Sequence, residues 1–240
     1  MKEEHPLHLA IIPDGNRRWA RQQGLLPWQG HQRSAENFDA ILQWCASDPR
    51  ISVLTFWAFS TENWKRDASE VKKLMELLER YLRKERLRLK EKGIHLVHSG
   101  RKDRLSPSIA TLLQEIEEET KSDPLFTFHI ALDYGGKDEV VRAIQKLQTH
   151  QPERVYPPAV EGSLPAVSDD DIRKHLDHPE LPDIDLIIRT SGEQRTSNFF
   201  LWQSAYAEWV FLEKHFPDLT TEDIDEALKE YAKRKRRFGT

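Results

Sequence analysis

The 240-residue chain contains a single cysteine, Cys45, so it can form no internal disulfide. No zinc-ligand set can be assembled around that one thiol, and the ten histidines show no H-E-x-x-H or comparable spacing. No stretch approaches the roughly 20 apolar residues that span a bilayer. The amino terminus, MKEEHPLHLAIIPDG, carries acids and lacks a long apolar run, so an export signal is not expected. Charge of one sign is also missing. Thirty-six basic against 40 acidic side chains leave −4, which gives no global field for nucleic acid. A nucleophile-elbow G-x-S-x-G, a Walker A loop and a dinucleotide-binding G-x-G-x-x-G are all absent. What remains is a chain with 38% hydrophobic and 32% charged residues, 7 Trp and 10 Phe, enough to bury a sizeable core under a charged surface.

Apolar runs alternate with helical patterns. Buried strands are expected at Leu7–Ile12, Ile51–Phe56, Ile94–Val97, Phe126–Ala131 and Ile184–Ile188. From Ser69 to Lys92 a stripe of Val71, Leu74, Leu78, Leu82 and Leu89 predicts a helix, with Ser69 as N-cap and Gly93 as stop. Ser106-Pro107 opens another helix through Glu119, and Thr220 or Thr221 caps a last one reaching Lys235. Such alternation implies a mostly parallel sheet between helices. Residues 151–168, proline-rich and without period, read as a loop or flap inside one domain. In a sheet of this kind ligands sit beyond the carboxyl ends of strands, so the segments after each strand deserve the closest reading.

Pro13-Asp14-Gly15-Asn16-Arg17-Arg18-Trp19 follows the first strand. Gly15 permits a tight turn, the next helix start can hold an anion, and arginine binds phosphate as a fork. A carboxylate among those cations suits a divalent metal shared with phosphate. Asp14 could equally cap a helix beside solvated arginines, and on these residues alone the two readings stand level. After the second strand, Ser60-Thr61-Glu62-Asn63-Trp64-Lys65-Arg66 reads locally as a capping turn with Trp64 in the core. Its mix of amide, indole and guanidinium would also suit a ligand greasy at one end and charged at the other. After the fifth strand, Arg189 and Arg195 flank Thr190-Ser191-Gly192 and precede Thr196-Ser197-Asn198, good chemistry for a diphosphate. Asp133-Tyr134-Gly135-Gly136-Lys137 suits close packing between a strand and a helix. Lys229 to Arg237 gathers six bases against one acid; it is an ordinary helix end, or a surface for phosphate or anionic lipid.

Taken together, these segments resemble the cis-prenyltransferase family, most closely its bacterial undecaprenyl diphosphate synthase group. The resemblance covers essentially the whole chain, with a single domain over 1–240 and an active core of about 7–239. It is carried in order by Asp14-Gly15-Asn16 with Arg18-Trp19, Gly30-His31, Ser60 to Trp64 with Arg66, Tyr134-Gly135-Gly136, Arg189 to Glu193, Arg195 with Ser197-Asn198, Ala205 to Glu208, and Arg236 to Gly239. It implies an α/β fold with a central, mostly parallel six-stranded sheet flanked by helices and an apolar tunnel. It implies a Mg2+-dependent homodimeric transferase that lengthens an allylic diphosphate, usually farnesyl diphosphate, with isopentenyl diphosphate units to a long Z-polyprenyl diphosphate. An undecaprenyl-like carrier for cell-wall polymers is the implied product. By the same resemblance Asp14 would hold Mg2+ and act in catalysis, with Asn63 as the proton-accepting position. Gly15, Asn16, Arg17, Arg18 and His31 would hold the allylic diphosphate. Trp19, Ser60, Thr61, Glu62, Trp64 and Arg66 would line the substrate site. Arg189, Arg195, Thr196 and Ser197 would hold isopentenyl diphosphate, and Glu208 would be a second metal ligand near the dimer interface. The protein would be cytoplasmic, with peripheral contact at the inner face of the membrane for product release.

Four positions depart from the family pattern: Pro27 where an arginine is usual, Arg17 for a glycine, Ser34 for a glycine and Gln194 for a histidine. They bear on how the allylic substrate is held. The small Ala58 leans toward long products. Asn63 is a weak Brønsted base, because a neutral amide is far less basic than a carboxylate. A non-catalytic subunit of the same fold, or an unrelated phosphate-handling enzyme, are the alternatives. Retention of Asp14, Arg18, Arg189 and Arg195 weighs against the first.

Overall fold

A computed structural model describes residues 5–150 and 167–234. Six strands, β1 (Leu7–Ile12), β2 (Ile51–Ser60), β3 (Ile94–Ser99), β4 (Phe126–Tyr134), β5 (Leu186–Arg189) and β6 (Glu208–Phe211), form one sheet in the order β3-β4-β2-β1-β5-β6. Every pairing is parallel, so the sheet is wholly rather than mostly parallel. Parallel neighbours need crossovers, and the helices supply them. In chain order they are α1 (Asn16–Gln22), α2 (Pro27–Ser47), α3 (Ala68–Glu91), α4 (Pro107–Thr120), α5 (Gly136–His150), α6 (Asp169–Arg173) and α7 (Thr221–Lys233).

The strands alternate between two buried faces. Leu9 and Ile11 of β1 and Phe128 and Ile130 of β4 pack with Phe38, Ile41 and Leu42 of α2. Ala10, Ile12 and Ala131 face the other way, onto Tyr134, Phe199 and Phe200. That second face also carries a buried polar line across four strands. His8 Nδ1 lies 2.8 Å from the Pro182 carbonyl, which can only accept, so Nδ1 is protonated. His8 Nε2 then accepts from Thr55 Oγ1 at 2.6 Å, Thr55 accepts from His129 Nδ1 at 2.9 Å, and His129 Nε2 accepts from Ser99 Oγ at 2.7 Å. These roles are those of neutral imidazoles, and burial holds His8 at about 4 and His129 well below the usual histidine range.

Local signals explain most boundaries. Ser106 and Thr220 N-cap α4 and α7 through side-chain bonds to Ile109 N and Asp223 N. The N-cap of the long third helix lies two residues earlier than its sequence predicts. Asp67, not Ser69, is the N-cap, because its carboxylate accepts from both Ser69 N and Glu70 N. Gly93, in the left-handed region at φ +64°, ends that helix. Residues 151–166 of the loop expected at 151–168, and the end of the basic tail, Lys235 to Thr240, lie outside the described residues. No described helix is long and apolar enough to cross a membrane.

Candidate active site

The chain runs outward from β1 in both directions along the sheet, with β2 on one side and β5 on the other. A crevice beyond the strand ends is expected at such a divergence. There Ile12 pairs with Arg189, so the residues that follow β1 meet the end of β5. The Asp14 backbone is clamped: its carbonyl accepts from Thr190 Oγ1 at 2.8 Å and from Phe216 N at 3.0 Å. Gly15 follows at φ +97°, and a Cβ there would strike Ser191 Oγ and His215, which are bonded to each other at 2.7 Å. Glycine is required both for the backbone angle and for that approach.

Arg189 is the hub. The residue is 3% exposed, and its Nε and Nη2 donate to Asp14 Oδ2 at 2.9 and 2.7 Å. Nη1 donates to Ser197 Oγ at 2.9 Å and to the Arg195 carbonyl. Both bonds to Asp14 fall on Oδ2, which leaves Oδ1 out of the pair. Asp14, Arg189 and Ser197 border a cavity of about 350 Å³ together with Asn16, His31, Ser60, Glu62, Asn63 and Arg66. Nine of the residues expected from sequence thus come together at one place.

The others surround it or turn away. Arg18 and Arg195 are both paired to Glu193, the former at 2.8 Å, and both are about half exposed or more. Arg17 is also half exposed, 3.7 Å from Glu70. Thr61 and Thr196 flank the cavity in sequence without bordering it. Trp19 points elsewhere, its indole donating to Asp218 at 2.9 Å. Trp64 does not line the cavity either; it packs edge-on against Phe59 at 5.1 Å, as the local capping-turn reading expects. Glu208 starts β6 opposite Leu186, three residues of strand, or about 10 Å, before the level of Arg189. Its carboxylate pairs with Arg234 at 2.7 Å, so one chain does not bring it to Asp14.

Hydrogen bonds set what several groups can do. Asn63 Oδ1 accepts from Ser60 N at 3.1 Å in a capping box. With its carbonyl engaged and its amide nitrogen left to donate, Asn63 is suited to holding an anion rather than to taking a proton. Burial opposes ionisation of Glu62, yet bonds from its own amide, Ser60, Thr61 and Asn198 hold its carboxyl below the usual range. Burial, reinforced by Arg66 and Arg17, pulls His31 down to about 3, so it is neutral. Ser34 Oγ lies 2.6 Å from Asn16 Oδ1 and 2.9 Å from the Gly30 carbonyl, adding a hydroxyl that braces Asn16.

A single carboxylate with one oxygen outside its ion pair fits a Mg2+ ion, which takes one or two carboxylates and completes its shell with phosphate and water. Among the described residues no group of three His, Cys, Asp or Glu could hold a metal without such help. Asn16, His31, Ala58 and Leu74 also border an apolar chamber of about 110 Å³ between α2, α3 and the sheet. Phe38 fills its far side, with ring centroids 4.1 Å from Phe56 and 5.2 Å from Phe128. A polar cavity that carries the guanidinium groups of Arg66 and Arg189 and adjoins an apolar one suits an amphiphile with an anionic head. Sequence reasoning missed Glu70 and His215; the one available signal was the spacing of Glu70, four residues after Arg66.

Comparison with known proteins agrees with this geometry. Residues 12–239 match the prenyltransferase family model of undecaprenyl diphosphate synthase. An isoprenyl transferase of Aquifex aeolicus is 42% identical over 234 residues, 98% of this chain and 96% of the relative. Isoprenyl transferase 2 of Bradyrhizobium diazoefficiens is 40% identical over 238 residues, 99% of this chain and 92% of the relative. The crystal structure of lavandulyl diphosphate synthase from Lavandula x intermedia, in complex with dimethylallyl diphosphate, superposes with a TM-score of 0.89 at 34% identity, covering 100% of both chains.

Proposed function

The chain belongs to the prenyltransferase family of undecaprenyl diphosphate synthase, and from that premise we propose that it joins isopentenyl diphosphate to an allylic diphosphate in cis geometry. The observation that carries this reading is the Arg189–Asp14 pair in the wall of a polar cavity that Arg66 also borders and that shares Asn16, His31, Ala58 and Leu74 with an apolar chamber. The allylic diphosphate lies with its head toward His31, Arg17 and Arg66 and its tail in the chamber. Isopentenyl diphosphate lies toward Arg189, Arg195 and Ser197.

Cleavage of the allylic C–O bond leaves a carbocation and builds negative charge on the departing diphosphate. Preorganised guanidinium groups stabilise that charge because they need not reorganise as it forms. Asp14 would hold Mg2+, which when bound supplies further positive charge at the diphosphate oxygens. The second diphosphate pins the isopentenyl double bond beside the cation, converting an encounter into a neighbouring-group reaction. A C–C bond forms, and a proton is then lost from the adjacent carbon. Asn63 orients an oxygen that accepts the proton and does not itself accept it.

The finer proposal is a farnesyl primer and a long, undecaprenyl-like product serving as carrier lipid. It is supported by the small side chain of Ala58 at the chamber's entrance. A cavity of about 150 Å³ accommodates benzene, so the present chamber takes about one five-carbon unit, and longer tails require α3 to part from α2. A homodimer is supported by β6, an edge strand whose Phe211 is 37% exposed, with Tyr206, two residues before the strand, 72% exposed. In that arrangement a second copy is the source of Glu208 as metal ligand. Peripheral membrane contact on the cytoplasmic side is supported by the bases Lys229, Lys233 and Arg234 at the end of α7.

The test is incorporation of labelled isopentenyl diphosphate into lipid-soluble product with geranyl, farnesyl and geranylgeranyl primers, with and without Mg2+. Incorporation that requires the metal and disappears in Asp14→Ala is expected, and chromatography of the products gives their length. No incorporation with any primer would refute the reading.

A further inference from the structure

Beside the cavity three donors converge on one carboxylate oxygen at distances too long for hydrogen bonds. Glu70 Oε1, in the first turn of α3, lies 3.6 Å from Arg66 Nη1, 3.7 Å from Arg17 Nε and 3.9 Å from His31 Nε2. The proton on that imidazole nitrogen can be located. Asn16 contacts the Pro13 carbonyl at 3.1 Å, and since that oxygen only accepts, the contacting atom is the donor Nδ2. The same Nδ2 lies 3.3 Å from His31 Nδ1, which therefore accepts, so Nε2 carries the hydrogen and points its donor toward Glu70.

Two of these atoms are stranded. His31 Nε2 and Glu70 Oε1 are both buried without a hydrogen-bond partner. Buried polar atoms in folded proteins are seldom left so, and a pair facing each other across 3.9 Å marks a place built for another group. The carboxylate is tethered to the helix, whereas a free anion could settle among the three donors at ordinary charge-assisted distances of about 2.7–2.9 Å. We propose that Glu70 is an internal stand-in for a diphosphate oxygen, holding the Arg17–Arg66–His31 cluster in the empty protein and yielding it to the incoming diphosphate.

This rests on reading the cluster as a diphosphate subsite, and it adds a property that reading lacks. Two anions cannot share one cationic pocket without repulsion, so Glu70 weakens diphosphate binding. Its return after transfer helps expel the pyrophosphate that would otherwise stay among three donors. The first turn of α3 thereby senses occupancy, and Leu74, one turn further along, borders both the polar cavity and the apolar chamber.

Isothermal titration of the full chain with inorganic pyrophosphate tests this. Glu70→Gln keeps the shape and removes the charge, and its dissociation constant should fall about tenfold. Glu76→Gln removes an exposed charge from the same helix, 4.0 Å from Lys72, and should change affinity by less than about twofold. Unchanged or weaker binding in Glu70→Gln overturns the inference, because it would make Glu70 an organiser of the arginines instead of their competitor. Equal tightening in Glu76→Gln also overturns it, since the effect would then be net charge alone. Arg66→Ala separates the two levels of the argument. Wild-type binding that ignores this change, or no wild-type binding at all, defeats the diphosphate reading and this inference together. Binding that needs Arg66 but does not tighten in Glu70→Gln defeats the inference alone.

Discussion

Removing the carboxylate of Asp14 should cost stability as well as activity, and the stability loss can be sized from the geometry. Arg189 is almost wholly buried and places two of its donors on Asp14 Oδ2, at 2.9 and 2.7 Å. Breaking a fully buried ion pair by deleting one partner costs about 3–5 kcal/mol, because the surviving charge is left uncompensated. Two features reduce this. The Asp14 side chain is 36% exposed, so water reaches it, and Arg189 keeps Ser197 Oγ and the Arg195 carbonyl as acceptors. A loss of about 2 kcal/mol is then expected for Asp14→Ala. In a chain of this size that lowers the thermal midpoint by about 4–8 °C. Asp14→Asn, which retains an acceptor oxygen, should lose roughly half as much. Calorimetry or circular dichroism reads both values, and prenyl transfer assayed well below the lower midpoint should fall by at least about 100-fold in either variant. An Asp14→Ala protein as stable as the wild type would refute the argument, because the guanidinium could not then be buried against that carboxylate.

Two further outcomes follow from groups away from the strand ends. Burial holds His8 near 4, against an ordinary 6.5, so the unfolded chain takes up a proton that the folded one refuses. Stability is therefore full above pH 6.5 and falls toward pH 4, by about 1.4 kcal/mol per pH unit for each such histidine. His98, held near 4 chiefly by burial, adds to the same slope. Urea midpoints measured from pH 7 to 4.5 should show the fall and His8→Gln should flatten it; an unchanged slope in that variant would contradict a neutral, buried imidazole. Phe38→Ala should lose about 3–5 kcal/mol by truncating a buried aromatic. It should also shift the chromatographic product profile to longer chains, whereas an unaltered profile would mean that the tail grows elsewhere.

Much of this architecture was legible in the sequence because the strands of a two-face-covered sheet are near-continuous apolar runs. Leu7–Ile12 and Phe126–Ala131 announce themselves in that way. The β6 segment, Glu-Trp-Val-Phe, did not: four residues at a sheet edge carry too little pattern to separate from a loop. Capping chemistry placed α4 and α7, but at α3 the choice between Asp67 and Ser69 depends on which side chain reaches the free amides, and that is a matter of geometry. The site shows the same division. Asp14 and Arg189 are 175 positions apart, and it was the rule about strand ends that connected them. Trp64 is a mixed case: resemblance places it at the substrate and its local context in the core, and it is partly buried, packed against the core beside Phe59. Glu70 escaped notice because a charge at the start of a helix looks like an ordinary dipole partner until three donors are seen converging on it.

The most direct measurement is a crystal structure of the protein with Mg2+, isopentenyl diphosphate and an unreactive allylic diphosphate analogue. One diphosphate should lie against Arg189 and Ser197, the other should reach His31 and Arg66, and the metal should contact Asp14. Well-ordered ligands with neither phosphate beside the Asp14 carboxylate would contradict the account at its root.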